Sequence, residues 1–401
     1  MLITKIEIDN LYSFKDAKLE LSYDKKPVDS GILEDEFLYG RTKFNVKRVC
    51  VVVGANATGK TSLGKIILGI QLFFDKKTIK EDLLSIYDKE KSGCISIDFA
   101  TQDDFKLHRL VLKINEKNTF INNVEHLSYG SVYIEKEDSC KKATCKLDLL
   151  FSRNAVEIKK TDDFIDSDIE GVLKAYEKFS KLHFNLSWHY ILSQNVESTT
   201  ELSHLDHKVL EAVLKTFDPS IINVSILKSN DDSDASGYYV DFYNGDKSLI
   251  GMDGSATNPN RFSKGTYESI KVASLLSRII KDDEYYRKSK INDGFTTYYL
   301  DEKMAHCHTE LERVILTALI MRLHRNGQLF YTTHNYDVLS LDLPTHSFTF
   351  INKTEEKKTK FIEAISRFKK NDRSLKRVVE NNLFNTDPDT ELLNDLMMDD
   401  N

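Results

Sequence analysis

Four short runs of residues combine types and spacings that suit phosphate chemistry. Gly54-Ala55-Asn56-Ala57-Thr58-Gly59-Lys60-Thr61 fits G-x4-G-K-[ST]. In such a loop the glycines let the backbone wrap a phosphate with its N–H groups turned inward, and the helix that follows adds its positive N-terminal end. Lys60 would reach the β and γ phosphates of ATP, and the Thr61 hydroxyl would ligate Mg²⁺. Asn56, Ala57, Thr58, Gly59 and Ser62 complete this cradle with Gly54. In Tyr298-Tyr299-Leu300-Asp301-Glu302, two carboxylates end a strand-like run. Asp301 suits a Mg²⁺ shell, and Glu302 suits a base that orients or polarises an attacking water. Phe330-Tyr331-Thr332-Thr333-His334-Asn335 places a histidine just past the next strand. Phe262-Ser263-Lys264-Gly265-Thr266 opens a helix. Ser263 suits an N-cap there, and with Gly265 and the helix N-terminus it can also meet a γ-phosphate held by another subunit. Each run alone has a plainer reading as a turn, a cap or a surface histidine; their order along one chain favours the chemistry.

The elements around these runs fit that use. Val49-Cys50-Val51-Val52-Val53 is a continuous apolar run, the mark of a parallel strand buried on both faces, and it leads straight into Gly54. Residues 62–74 read as an amphipathic helix, with Leu63, Ile66, Ile67 and Ile70 on one side. Strands are expected near 2–8, 18–21, 93–99, 105–114, 132–135, 221–227, 238–243, 295–300 and 328–332. A strand pair is expected at 347–352 and 360–365, followed by two short helices. Further helices are expected at 167–182, 204–217, 264–281 and 310–326. Residues 24–48 read as a loop with short strands, and 229–236 as a hairpin loop. The interval 76–260 alternates strands and short helices, with no long heptad run and no internal repeat.

Composition narrows the class. The chain has 401 residues, 40% hydrophobic and 30% charged, which is globular rather than disordered. A net charge of −7 gives no global field that favours nucleic acid. Five scattered cysteines with no CxxC pair fit a reducing compartment better than a disulfide framework; the Cys140-x4-Cys145 spacing has no second half for a zinc site. The N-terminal run lacks a signal layout, and no stretch approaches the roughly 20 apolar residues of a membrane span. The expected setting is therefore cytoplasmic, with no membrane partner.

With these motifs the chain resembles the ABC-type ATPases related to the OLD proteins and the SMC and RecF clan. It is most similar to the short AAA-labelled ATPases of abortive-infection and anti-phage systems. The resemblance rests on Ile8-Asp9-Asn10-Leu11-Tyr12-Ser13-Phe14, on the P-loop with Asn56, and on Ser263-x-Gly265-Thr266, which is closer to their signature than to the LSGGQ of transporters. Thr332-Thr333-His334-Asn335 matches their switch-histidine segment, and Ile121-Asn122-Asn123-Val124-Glu125-His126-Leu127 a segment of their insertion.

The resemblance implies an α/β fold: an ABC-type P-loop ATPase head with a mixed sheet, an antiparallel β subdomain and a helical and β insertion. The implied divisions are 1–75 (N-terminal lobe with the P-loop), 76–260 (insertion), 261–345 (signature, Walker B and switch histidine) and 346–401 (strand pair and helices). It implies ATP hydrolysis through Glu302 and His334, with ATP and Mg²⁺ bound and Thr61 and Asp301 on the metal. It also implies a homo-oligomer, a dimer or higher, whose ATP sites each borrow Ser263 from a neighbour. The implied role is a nucleotide-switched sensor or scaffold in prokaryotic anti-phage defence, controlling a separate effector nuclease or toxin. Two other readings stay open: a RecF- or SMC-like DNA repair ATPase with nucleic acid as partner, and a scaffold that binds ATP and hardly turns it over.

The chain departs from the family pattern at Met304, where many relatives carry an acidic residue, and at Tyr298 and Tyr299, which replace aliphatic residues. Gln71, Gln102 and Gln194 are all candidates for the Mg²⁺-sensing glutamine. His306-x-His308 is read as structural. Lys357, Lys358 and Lys360, with Lys369 and Lys370, form a basic run whose default is a solvated surface and whose sharper use is a phosphate backbone. No Toprim-like acidic cluster or HNH-type triad marks a nuclease.

Overall fold

The computed structural model describes residues 1–401 apart from 24–30, 102–103, 116–122, 153–163, 194–204, 229–234, 253, 290–293, 368–373, 383, 385–389, 391–393 and 395–401. From the N-terminus, alternating residues form β1 (Leu2–Asp9) and β2 (Ala17–Glu20). A short pair follows, β3 (Phe37–Leu38) and β4 (Arg41–Asn45), then β5 (Val49–Val53) and helix α1 (Lys60–Lys76). Next come β6 (Gly93–Ala100), β7 (Lys106–Ile114), β8 (Val124–Tyr133), α2 (Cys140–Phe151), β9 (Phe164–Asp166), α3 (Ser167–Glu170), α4 (Val172–Ser180) and β10 (Leu186–Ile191). The chain continues through α5 (His207–Phe217), β11 (Ile221–Lys228), β12 (Ala235–Phe242), β13 (Lys247–Gly251) and the long α6 (Lys264–Ser289). It closes with β14 (Phe295–Asp301), α7 (Thr309–Met321), β15 (Gly327–Thr333), β16 (Phe348–Lys353), β17 (Thr359–Glu363), α8 (Ala364–Arg367) and α9 (Leu375–Glu380).

The fold is mixed α/β, built on two six-stranded sheets. One is antiparallel, in the order β2-β1-β6-β7-β8-β9. The other runs β10-β14-β15-β5-β16-β17, parallel throughout except for the antiparallel β16–β17 pair. Every residue of β5, β14 and β15 is buried, as expected for strands covered on both faces. Their side chains alternate between two cores. Val49, Val51, Val53, Tyr298 and Leu300 join α6 and α7 on one side. Cys50, Val52 and Tyr299 join α1 and the inner face of the antiparallel sheet on the other. β11, β12 and β13 form a third, smaller sheet, so the strands within 76–260 are distributed over three sheets.

The buried strands fall where the sequence places them, and several other elements do not. β10 is absent from the strands expected from sequence, although Leu186, Trp188 and Tyr190 alternate with Ser187 and His189; it is a short edge segment, half-buried over its first four residues. β8 begins at Val124 rather than 132, and α2 carries no strong signal. The helix expected over 167–182 is broken at Gly171, whose φ of 84° suits glycine. α6 continues to Ser289, and α7 stops at Met321. Of the hairpin loop expected at 229–236, residues 229–234 lie outside the described residues, as do Lys369 and Lys370, while 235–236 already belong to β12. Among the described residues, no helix is long and apolar enough to cross a membrane.

Candidate nucleotide site

The loop between β5 and α1 takes the shape its sequence suggests. Ala57 and Gly59 both adopt left-handed backbone, with φ of 61° and 112°. At Gly59, which caps α1, a side chain would be strained. Asn56 and Ala57 are exposed at the tip. Thr58 Oγ1 donates to the Ala55 carbonyl at 2.8 Å, bracing the turn from within. From outside, the Thr359 hydroxyl donates to the Thr58 carbonyl at 2.9 Å, which fastens β17 to the loop. The buried Lys60 Nζ donates to the carbonyls of Gly54 and Ala55, both at 2.6 Å. Ser62 is half-buried in the first turn of α1.

Beside the loop, Asp301 ends β14 fully buried. Its Oδ2 accepts from Thr61 Oγ1 at 2.7 Å and from the amide and hydroxyl of Ser193 at 3.1 and 2.5 Å. Its Oδ1 accepts from Thr332 Oγ1 at 2.6 Å. Thr61, Ser193 and Asp301 therefore gather hard oxygen donors at one point, which is the donor set Mg²⁺ prefers. The residues present fit such an ion.

Glu302 follows in left-handed backbone, φ 49°, a conformation that costs a non-glycine residue of order 1 kcal/mol or more and recurs at functional sites. Its Oε1 is buried and faces the Lys60 ammonium at 3.0 Å and the His334 ring Nδ1 at 3.6 Å. The structure thus brings Gly54, Thr58, Gly59, Lys60, Thr61, Asp301, Glu302 and His334 together at the C-terminal ends of parallel strands.

Ser263 and Gly265 stand apart from that group. The Ser263 hydroxyl accepts from the Thr266 amide at 3.1 Å, so it caps α6 as expected. Among the described residues, neither Ser263 nor Gly265 has a hydrogen bond to the loop at 54–62. The start of α6 instead packs on the segment after Glu302. A Cβ at Gly265 would lie 2.6 Å from the His306 carbonyl oxygen, and Lys303 pairs with Glu268 at 2.8 Å. Gly265→Ala is therefore expected to destabilise the fold by about 1–3 kcal/mol through overpacking. A thermal melt indistinguishable from wild type would show that the contact relaxes without cost.

The departures from the family pattern have local explanations. Tyr299 donates to the Lys60 carbonyl at 2.8 Å and Tyr298 to Asp282 at 2.6 Å, so both phenols are satisfied in the core. Met304 is buried among apolar residues. The His308 ring accepts from the Glu310 amide at 3.2 Å and caps α7, a structural role. Gln71 is buried on α1 and donates to Thr297, while Gln102 and Gln194 lie outside the described residues. Lys358 pairs with Glu356, and Lys357 and Lys360 are exposed. Sequence reasoning missed Ser193, Thr359 and Glu312, and it named Thr332 within the switch-histidine segment without its bond to Asp301.

No family model matches the sequence, and no curated protein matches it. Among solved structures, the SMC head domain from Thermotoga maritima is similar at 12% identity and a TM-score of 0.37, over 90% of this chain and 99% of that one. The recombination mediator protein RecF of the RecFOR pathway is similar at 12% identity and a TM-score of 0.37, over 90% of this chain and 98% of that one. Similarity at this level adds no argument about activity.

Proposed function

We propose that the chain is an ABC-type ATPase that binds ATP with Mg²⁺, hydrolyses it, and completes each site between two copies. One observation carries the reading: Lys60, Thr61, Asp301 and Glu302 converge within hydrogen-bond or ion-pair distance at the end of a buried parallel sheet. In this reading the loop amides and the N-terminus of α1 hold the phosphates, and Lys60 moves from its loop carbonyls and Glu302 to the terminal phosphate. Thr61 and Asp301 hold Mg²⁺, with Ser193 beside them. Bound Mg²⁺ would neutralise charge on the phosphate oxygens. Glu302 takes the proton of the attacking water, and His334 faces the γ-phosphate from the next strand. Ser263, with no bond to this group in its own chain, is supplied to the site of a neighbouring copy. From the motif resemblance we infer the wider role as well, a homo-oligomeric sensor in anti-phage defence that controls a separate nuclease or toxin.

A mixing experiment tests the shared site. Lys60→Ala and Ser263→Arg proteins should each be inactive, with Ser263→Arg still binding nucleotide. In an equal mixture, random pairing leaves half the dimers with one intact composite site, so turnover should recover to about a quarter of wild type. Full turnover by Ser263→Arg alone, as a monomer across protein concentrations, would overturn the shared site.

A further inference from the structure

We propose that Glu312, on α7, is a positioning residue that sets His334 through the residues on either side of it. The proposal rests on the reading above, in which His334 meets the γ-phosphate. Glu312 is 3% exposed. Its Oε1 accepts from the Tyr331 hydroxyl at 2.6 Å and from Thr333 Oγ1 at 2.7 Å, and its Oε2 accepts from Asn335 Nδ2 at 2.7 Å. Burial and the nearby Glu312 charge push the Tyr331 phenol well above its usual range, so it remains a donor. Thr333 Oγ1 in turn accepts from the Asn335 amide at 3.0 Å. One carboxylate therefore clamps both neighbours of His334, while the imidazole itself is 42% exposed, its Nδ1 3.6 Å from Glu302 Oε1. Its location is inherited from a backbone that Glu312 holds. Burying a carboxylate is costly unless its oxygens are satisfied, and among the described residues its donors come from the end of β15 and the turn beyond it.

The donor pattern makes the idea sharp. Both hydroxyls can serve an amide oxygen as well as a carboxylate. Asn335 cannot, because its Oδ1 is occupied by the Asp337 amide at 2.9 Å, which fixes its NH₂ toward Glu312. Glu312→Gln therefore either sets two NH₂ groups against each other or, with its amide flipped, takes the shared acceptor away from both hydroxyls. Asn335→Asp alone sets two carboxylates against each other. The two substitutions together restore a donor facing an acceptor and keep the charge of the cluster.

The test measures ATP turnover, ATP affinity and hydrogen exchange of the amides at 333–337 without nucleotide in wild type, both single variants and the pair. Each single variant should lose about tenfold in kcat with affinity nearly unchanged, and should exchange faster at 333–337. The pair should recover most of both. Losses that add in the pair, or single variants with wild-type kcat and exchange, would overturn the proposal. Wild type with no ATP turnover would sink the ATPase reading instead, and the exchange pattern would still decide the clamp. If Glu312→Gln does not fold, Asn335→Ala removes only the donor; unchanged exchange and kcat in that variant would equally overturn it.

Discussion

Glu302→Gln is expected to lower ATP turnover by roughly 10²-fold or more while ATP binding survives. Glutamine keeps the length and shape of the side chain, so it can occupy the same left-handed position at the end of β14. It loses the basic oxygen, however. Glu302 Oε1 is buried against the Lys60 ammonium, and in the proposed reading it becomes free to accept from a water once Lys60 turns to the phosphate. The substitution also releases Lys60 from its 3.0 Å ion pair, so nucleotide affinity should hold or rise. Phosphate release measured beside equilibrium nucleotide binding separates the two effects. Wild-type turnover in the variant would mean that another group handles the water.

Lys60→Ala should weaken nucleotide binding by at least about 10²-fold, the scale of losing charge-assisted hydrogen bonds to a phosphate. The effect has two sources. The ammonium that would meet the phosphates disappears. The carbonyls of Gly54 and Ala55, each 2.6 Å from Nζ, lose the donor that draws the loop around it. Titration with a labelled nucleotide measures the loss, and a melting curve confirms that the fold persists. Unchanged affinity would show that the loop is not a phosphate cradle.

The legible part of the site was the part written in contiguous residues. The P-loop, Asp301-Glu302 and His334 each follow a strand whose apolar run is visible because both its faces are buried. The illegible part depends on contacts across the fold. β10 is a six-residue edge strand, too short for its alternation to stand out between its neighbours, and Ser193 was lost with it. Glu312 sits on a helix 19 to 23 residues before the atoms it binds, and nothing in that spacing says that the helix returns to the end of β15. Thr359 reaches the P-loop from 301 residues away. Tyr298 and Tyr299 illustrate the converse: unusual in sequence, they are ordinary in place once their hydroxyl partners are known.

The four donors on Asp301 bear on how the chain reaches its native state. A buried carboxylate normally demands a cation, and small metal-built domains stay unfolded until the ion arrives. Here two threonine hydroxyls, a serine hydroxyl and a serine amide already solvate the charge from within. The native place of Asp301 therefore needs no ion to offset its charge. In the proposed reading Mg²⁺ would join a site whose carboxylate the protein has already solvated, as a reagent and not as a part of the scaffold.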